Sequence, residues 1–180
     1  MLCLAGNFVS DEICSSIINL IISTEQLHVY SVHKLFIAMK SNMSQEALIK
    51  VGVYILGELG FLLVSHSVTG PEEETISVSE DELITHLSEI NNRKYSSDIK
   101  EYLMNCSVKL IIRLSPKSQE ELRYLLEQES KSYNCEVQQR AVEYLVLTNV
   151  SNLVLKREVM ENVPNSKIVK ESDIKKYFLK

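Results

Sequence analysis

Glycine and proline are scarce in this chain, and tryptophan is absent. The 180 residues include 5 glycines and 3 prolines. A sandwich or barrel of short strands needs many tight turns, which these two residues usually supply. Their scarcity therefore favours long helices and disfavours an all-β fold. The length fits a single domain or slightly more than one.

The chain also lacks an excess of positive charge. It has 19 basic residues against 24 acidic ones, which gives a formal net charge of −5. Proteins that bind nucleic acid usually present a basic stripe or patch. The basic residues cluster only in the tail at 170–180, where a solvated tail is expected rather than a lipid contact. Nucleic-acid binding is therefore excluded as the main function.

Motifs for catalysis or metal binding are missing as well. No C-x-x-C occurs, and His28 and His33 lie five residues apart rather than the four that put two ligands on one helix face. The acidic runs at 72–74 and 80–82 lack the alternating pattern of a calcium loop. No G-x-S-x-G or glycine-rich phosphate loop is present. We therefore predict no catalytic, cofactor-binding or metal-binding residue, and expect a protein that is not an enzyme.

Neither a signal peptide nor a membrane span is expected. The apolar start at 1–6 has no basic flank and is too short for a secretory signal. The longest apolar stretch, at 51–64, is interrupted by Glu58 and three glycines. It falls short of the roughly 20 residues that a spanning helix needs. A cytosolic protein is expected, with free thiols at all four cysteines, namely Cys3, Cys14, Cys106 and Cys135.

Apolar residues recur at helical spacing along most of the chain, and no strand pattern is found. A capping box at Ser79, with Glu82 three residues later, predicts the start of one helix. Gly52 and Gly57 lie inside another helix that is apolar almost all round, which suggests close approach of a second backbone. Loop 65–77 is the clearest break. The predicted helices span 11–23, 25–39, 44–64, 79–90, 98–114, 117–132, 135–148 and 152–162.

These eight helices fall into four antiparallel hairpins that begin near residues 11, 44, 98 and 135. Without loop 65–77, each hairpin unit has roughly 33–40 residues, which is the size of HEAT and armadillo units. The sequence therefore predicts an all-α, HEAT/armadillo-like solenoid.

Three of the helical segments carry longer motifs. The first, at 25–35, reads EQLHVYSVHKL. The second contains Gly57, Glu58 and Gly60, followed by a pair of leucines. The third reads QQRAVEY and lies on a narrow amphipathic helix whose apolar face suits close packing on a neighbour. Its polar and aromatic motif positions are Gln138, Gln139, Arg140, Glu143 and Tyr144.

In this order the three segments resemble helices of the adaptins, the large subunits of clathrin adaptor complexes. The likeness is to gamma-adaptin most of all and runs over about residues 6–165. Tyr54 replaces the tryptophan usual in the family, and Leu59 and Phe61 replace its usual tyrosine and aspartate.

The resemblance implies a curved α-solenoid that acts as a scaffold. Residues 1–164 are expected to be the C-terminal part of the adaptin trunk. Residues 165–180 are expected to be a charged tail, disordered or forming one short helix. The motif residues are expected to be structural positions of the scaffold. The partners implied are a beta-type adaptin and the medium chain of a heterotetrameric complex.

The resemblance also implies a role in vesicle-mediated protein transport at the trans-Golgi network and endosomes. The chain would then be cytoplasmic, and would reach Golgi and endosome membranes and coated vesicles only through the full complex. In an adaptin the small chain, Arf GTPase and clathrin bind to parts that this chain lacks, so the chain is expected to be a fragment.

The alternative is a different HEAT/armadillo-type transport module that binds cargo directly. Such a module would need ordered ladders of asparagine, tryptophan or acidic residues on its concave surface, and tryptophan is absent. An enzyme or a regulatory helical bundle is a third and more remote reading. Recovery of partner proteins from cells would separate these possibilities.

Overall fold

The computed structural model describes residues 9–69, 75–149, 158 and 160. Within this part of the chain seven α-helices carry the architecture, and the all-α, HEAT-like fold predicted from the sequence is confirmed. The helices are α1 (Asp11–Ser23), α2 (His28–Ser41), α3 (Glu46–Ser65), α4 (Glu80–Asn92), α5 (Ser97–Ile111), α6 (Pro116–Glu129) and α7 (Cys135–Asn149).

The helices form two layers, because each helix packs mainly on helices one or two places away along the chain. Helices α1, α3, α5 and α7 follow one another in the odd layer. Helices α2, α4 and α6 form the even layer against it. The most extensive packing joins α3 to α5 and α2 to α3. This alternation is the arrangement of an α-solenoid, in which stacked helix pairs bury one continuous core.

Several helix ends lie where the sequence places them. The Ser79 hydroxyl accepts a hydrogen bond of 3.2 Å from the backbone N–H of Glu82, so half of the predicted capping box is formed. Pro116 occupies the first turn of α6, where its missing N–H costs nothing. The Asn134 side chain caps α7 by accepting from the N–H of Val137 at 3.0 Å.

Other ends differ from the prediction. Residues Glu25–Leu27 form a 3-10 turn, and α2 begins only at His28. Helix α5 ends at Ile111, three residues before the predicted end, in a turn where the N–H groups of Arg113 and Leu114 both donate to the carbonyl of Leu110. Tight last turns of this kind satisfy orphan carbonyls without continuing the helix.

The loop after α3 contains a strand pair that the sequence analysis missed. Strand β1 (Val68–Thr69) pairs antiparallel with β2 (Thr75–Ile76), with Val68 opposite Ile76 and Thr69 opposite Thr75. These residues are β-branched and favour extended backbone. Two residues per strand are too few to produce a recognisable alternation, so the prediction that no strand is present was wrong at this point.

Helix α3 is the most buried element, and its glycines lie at its closest contacts. A Cβ on Gly57 would lie 3.0 Å from the Cα of Cys106 on α5, which is the close backbone approach expected from the sequence. At Gly52 the neighbour is the side chain of Met39 rather than a backbone. Gly60 faces a methyl group of Leu110. Small residues thus let α2 and α5 pack tightly on α3.

The argument from length against a membrane span does not hold for α3. The helix has 20 residues and is long and apolar enough to cross a membrane by length and composition. However, 67% of its most apolar stretch is buried against neighbouring helices. Burial on several sides is typical of the core helix of a solenoid. The predicted helix 152–162, apart from residues 158 and 160, and the tail 165–180 lie outside the described residues.

Candidate partner interface

Polar side chains connect the helices of the odd layer along one face. Lys50 on α3 reaches Asp11 on α1 at 2.9 Å and Asp98 on α5 at 3.2 Å. Burial would lower the pKa of Lys50, but its hydrogen bonds to the two aspartates raise it above the ordinary value. The lysine side chain is 16% exposed, whereas both carboxylates are largely in solvent. Pairs of this kind align helices more than they stabilise them, at about 0–1 kcal/mol each.

Arg140 makes the corresponding connection one step further along, between α5 and α7. Its guanidinium lies 2.7 Å from Glu136 on its own helix and 3.5 Å from Glu101 on α5. It also donates to the side-chain oxygen of Asn105 at 3.4 Å. Burial opposes the charge of Arg140, but the contacts with Glu136 and Glu101 raise its pKa overall. This residue therefore ties α7 to α5 as well as to its own first turn.

A buried ion pair lies between α3 and α5. Glu58 is only 4% exposed, and its Oε1 accepts a hydrogen bond from the Lys109 ammonium. Its second oxygen, Oε2, is buried and has no hydrogen-bond partner among the described residues. Taking charged groups out of water costs several kcal/mol each unless they are well paired. The buried charge of Glu58 is therefore costly unless it is well paired with Lys109.

Arg113 reinforces the same contact from the end of α5. Its Nη1 lies 3.0 Å from the backbone carbonyl oxygens of both Gly57 and Glu58. Its guanidinium also lies over the ring of Phe61, 5.4 Å from the centroid. Burial lowers the pKa of Arg113, and the neighbouring Glu58 partly offsets that effect. These contacts fix α5 on the second half of α3.

A cavity of about 310 Å³ opens between α3, α5 and α7 beside this ion pair. The rings of Tyr54 and Tyr102 meet edge to face there, with centroids 5.7 Å apart. The Tyr144 hydroxyl donates to the side-chain oxygen of Asn105 at 2.5 Å. Burial raises the pKa of Tyr54 and of Tyr144, so both hydroxyls are neutral at physiological pH. We call this cavity the tyrosine pocket, which is lined chiefly by Tyr54, Glu58, Tyr102, Asn105, Lys109 and Tyr144.

The motif residues named from the sequence lie in different places in the structure. Gly57, Glu58 and Tyr144 line the tyrosine pocket, and Arg140 lies at the adjoining surface beside Tyr102 and Asn105. Gly60 packs instead against Leu110, away from the pocket.

The remaining polar residues of the QQRAVEY motif face solvent, whereas its Ala141 is buried in the core. Gln138 is exposed. The side-chain amide of Gln139 donates to the Glu143 carboxylate at 2.8 Å, one turn along the exposed face of α7. The two motifs thus contribute both to packing within the odd layer and to its outer surface.

Sequence reasoning missed the residues that α5 supplies to the pocket. Tyr102, Asn105 and Lys109 recur at intervals of three and four, so they share one helix face. The spacing was available in the sequence. Polar residues at this spacing usually mark a solvated face, and only the packing of α3 and α7 shows that this face lines a pocket.

The described residues offer little for catalysis or metal binding. No group of three or more histidine, cysteine, aspartate or glutamate side chains among them is placed to hold a metal ion. Cys14 and Cys106 are buried free thiols, and burial raises the pKa of both, which disfavours the reactive thiolate. Cys135 is free and exposed.

Comparison with known proteins identifies the family. Residues 1–152 match the family model described as Adaptin N terminal region. The chain belongs to the adaptin family. Adaptins are adaptor subunits and not enzymes, in keeping with the prediction made from the sequence.

Individual adaptins are similar over most of the chain. The AP-1 complex subunit gamma of Dictyostelium discoideum is 32% identical over 165 residues, covering 89% of this chain and 18% of its own length. The AP-1 complex subunit gamma-1 of Schizosaccharomyces pombe is 34% identical over 165 residues, covering 89% and 19%. The AP-2 complex subunit alpha-2 of Dictyostelium discoideum is 31% identical over 160 residues, covering 89% and 15%. The chain thus spans less than a fifth of the length of these relatives.

Proposed function

We propose that this adaptin chain is a gamma-type scaffold segment that corresponds to the C-terminal part of the trunk. The observation that carries the proposal is its identity of 32–34% to AP-1 gamma subunits over 89% of the chain. The three motif segments support it, because they fall in family order on α2, α3 and α7. The identity of 31% to an alpha subunit makes the choice of paralogue a point to test.

In this proposal the function is mechanical. Stacked helix pairs bury a continuous core, and the polar face of the odd layer holds partner chains in a fixed relation. The partners are a beta-type adaptin and the medium chain of the adaptor complex. The chain would serve vesicle-mediated protein transport at the trans-Golgi network and endosomes, and would associate with membranes only through the assembled complex.

Affinity purification of the tagged chain from cells tests the proposal. We expect a beta-type adaptin and a medium chain to co-purify in amounts comparable to the bait. Recovery of AP-2 subunits in place of AP-1 subunits would correct the paralogue. Recovery of transport cargo without adaptor subunits would contradict the proposal and favour the cargo-binding module.

Two variants make the purification informative. Gly57→Leu forces a branched side chain against the backbone of Cys106, and should abolish recovery of the partners because α3 and α5 can no longer pack. Glu127→Gln, at an exposed position of α6, is the matched control and should leave recovery unchanged.

A further inference from the structure

His33 on α2 is a buried histidine whose two ring nitrogens both face backbone carbonyl oxygens. The ring is 1% exposed. Its Nδ1 lies 2.8 Å from the carbonyl oxygen of Val29, one turn earlier on α2. Its Nε2 lies 3.1 Å from the carbonyl oxygen of His66, at the end of α3. Both distances are those of hydrogen bonds, and a carbonyl oxygen can only accept.

A neutral imidazole can satisfy only one of these two contacts. It has one N–H, and its other nitrogen carries a lone pair, which repels a carbonyl oxygen. With the proton on Nδ1 the ring bonds Val29 and loses His66, and with the proton on Nε2 the reverse holds. A second proton turns both nitrogens into donors. The geometry at His33 is therefore complete only for the charged ring.

The end of α3 is a favourable place for that charge. His66 is the C-cap residue of this 20-residue helix. The last carbonyls of a helix carry partial negative charge, and a positive group beside them is stabilised. Burial opposes the charging of a histidine ring, whereas hydrogen bonds that only the charged ring can make favour it. At His66 the charged ring gains both a hydrogen bond and the attraction of the helix end.

The titratable groups on α2 and on the elements before it leave the charge of the ring free to change. The Lys34 ammonium lies over the ring of Tyr30, 5.7 Å from its centroid. No ion pair of His33 is found among the described residues. The carboxylates of α1 and of the 3-10 turn before α2, all of them exposed, are Asp11, Glu12 and Glu25. Between α2 and α4, Lys40 is paired with Glu82.

The elements on the other side of the ring contribute only histidines. The last two turns of α3, at 59–65, and both strands contain no titratable side chain. The ring of His66 is exposed, with Nδ1 2.8 Å from the Ser65 hydroxyl. His86 on α4 contacts α2 through Phe36, and burial lowers its pKa. The charge at this junction therefore depends on the second proton of His33 itself.

The contact with His66 joins α2 to the residues that follow α3. We call residues 66–69 and 75–76 the strand-pair segment, since they include β1 and β2. Strand β1 packs on α2. Between α2 and β2 lies an open groove of about 280 Å³, lined in part by Ile37, Ile76 and Glu82. Because the segment is incompletely packed on α2, one hydrogen bond more or less should change how firmly it is held.

We propose that His33 is a pH-controlled pin between α2 and the end of α3. With one ring proton it bonds a single carbonyl, and with a second, taken up from solvent in mild acid, it bonds both Val29 and His66. The docked strand-pair segment then binds more protons than the undocked one, so docking strengthens as the pH falls and weakens as it rises. The pin acts within one chain and is independent of the proposed function.

NMR of the unaltered 180-residue chain tests the protonation directly. The histidine rings are labelled with ¹⁵N, and the carbonyls of valine and histidine with ¹³C. At about pH 5 the ring of His33 should show two N–H protons, coupled across hydrogen bonds to the carbonyls of Val29 and His66. At about pH 8 it should show one, because histidines change charge between these limits. One ring proton at both values, or two at both, would overturn the proposal.

Hydrogen exchange measures the consequence for docking. Protection factors of the amides in the strand-pair segment, relative to those of α5, should rise about tenfold from about pH 8 to about pH 5, as expected for one hydrogen bond from a charged donor. The comparison with α5 removes titration effects on the whole chain, to which the buried His86 contributes in the opposite sense. An unchanged ratio would show that His33 does not control docking.

Three variants assign the pH dependence to His33. His33→Leu should abolish it. His28→Leu is the matched control, because His28 is a partly buried histidine on the same helix whose Nε2 lies 3.1 Å from the carbonyl oxygen of Ile22, and it should retain the dependence. His66→Gln keeps the backbone carbonyl and should also retain it. If His33→Leu keeps the dependence, or His66→Gln loses it, another group senses the pH and the proposal fails.

Discussion

The Cα of Cys106 lies 3.0 Å from the point that a Cβ on Gly57 would occupy. Helices α3 and α5 thus touch through backbone at this place, and neither partner can move aside as a flexible side chain could. The contact adjoins the buried Glu58–Lys109 pair and the bonds from Arg113 to the carbonyls of α3. The centre of the odd layer is therefore sensitive to small changes in volume.

Gly57→Ala should lower the free energy of unfolding by about 1–3 kcal/mol. Overpacking of a tight helix contact costs this much, and the better helix propensity of alanine, about 1 kcal/mol, offsets it only in part. Gly60→Ala is the natural comparison, because its new methyl group would meet a movable methyl of Leu110, also at 3.0 Å. Urea unfolding measures the free energy of unfolding of both variants. Equal stability of Gly57→Ala and the unaltered chain would mean that α5 can withdraw from α3.

Lys109→Met should cost roughly 3–5 kcal/mol, because it leaves the Glu58 carboxylate buried without its cation. The double variant Glu58→Leu with Lys109→Met should recover most of that loss, since the charge and its partner disappear together. Thermal unfolding of the two variants provides the measurement. If the single change costs under 1 kcal/mol, water reaches the carboxylate and the pair is not a buried one.

His86 should make stability fall as the solution becomes mildly acidic. The ring is 2% exposed and packs edge to face on Phe36, with Glu89 at 3.7 Å and the Lys40–Glu82 pair nearby. Burial lowers the pKa of His86 below its ordinary 6.5, although Glu89 opposes the shift.

The sign follows from proton linkage. Between the folded and the unfolded pKa of His86, the unfolded chain binds the extra proton, so stability rises with pH in that window. The contribution of His86 to stability is therefore fully present above about pH 6.5. It is lost as the pH falls through the lower pKa of the folded state, by at most about 1.4 kcal/mol per pH unit. His86→Leu should flatten this part of the curve, whereas Thr85→Ala, exposed on the same helix, should retain it. If stability changes with pH equally in both variants, the change comes from titratable groups other than His86.

Arg140→Ala should reduce stability by about 1 kcal/mol and loosen α7 first, because Arg140 contacts Glu101 and Asn105 on α5. Hydrogen exchange of the α7 amides should speed up more than exchange in α3. Gln138→Ala, at an exposed position on the same helix, should change stability by less than about 0.5 kcal/mol. Uniform acceleration across all helices would argue against this local role.

Most of the fold was predictable because helix signals are local. Each of these signals depends on residues within one or two helical turns of one another, as do the cap at Ser79, the proline at position 116 and the apolar stripes. The strand pair of Val68–Thr69 and Thr75–Ile76 escaped notice because four residues carry no periodic pattern. The early end of α5 at Ile111 also escaped, since Pro116 marks a limit for the helix but not its last turn.

The tyrosine pocket could not be predicted in the same way. Glu58 was recognised as a motif residue, but the burial of its carboxylate depends on how closely α5 approaches α3. The approach depends in turn on Gly57 and Cys106, which lie 49 positions apart in the sequence. Tyr144 and Tyr102 share the pocket only because α7 packs on α5. Such relations arise from tertiary packing, which the sequence pattern of one helix does not contain.

The packing of each helix mainly on neighbours one or two places away has a consequence for how the chain folds. The structure can nucleate at any helix pair and extend in either direction. Adding or removing a pair at either end should then change the total stability by one increment, while the geometry of the remaining pairs stays the same.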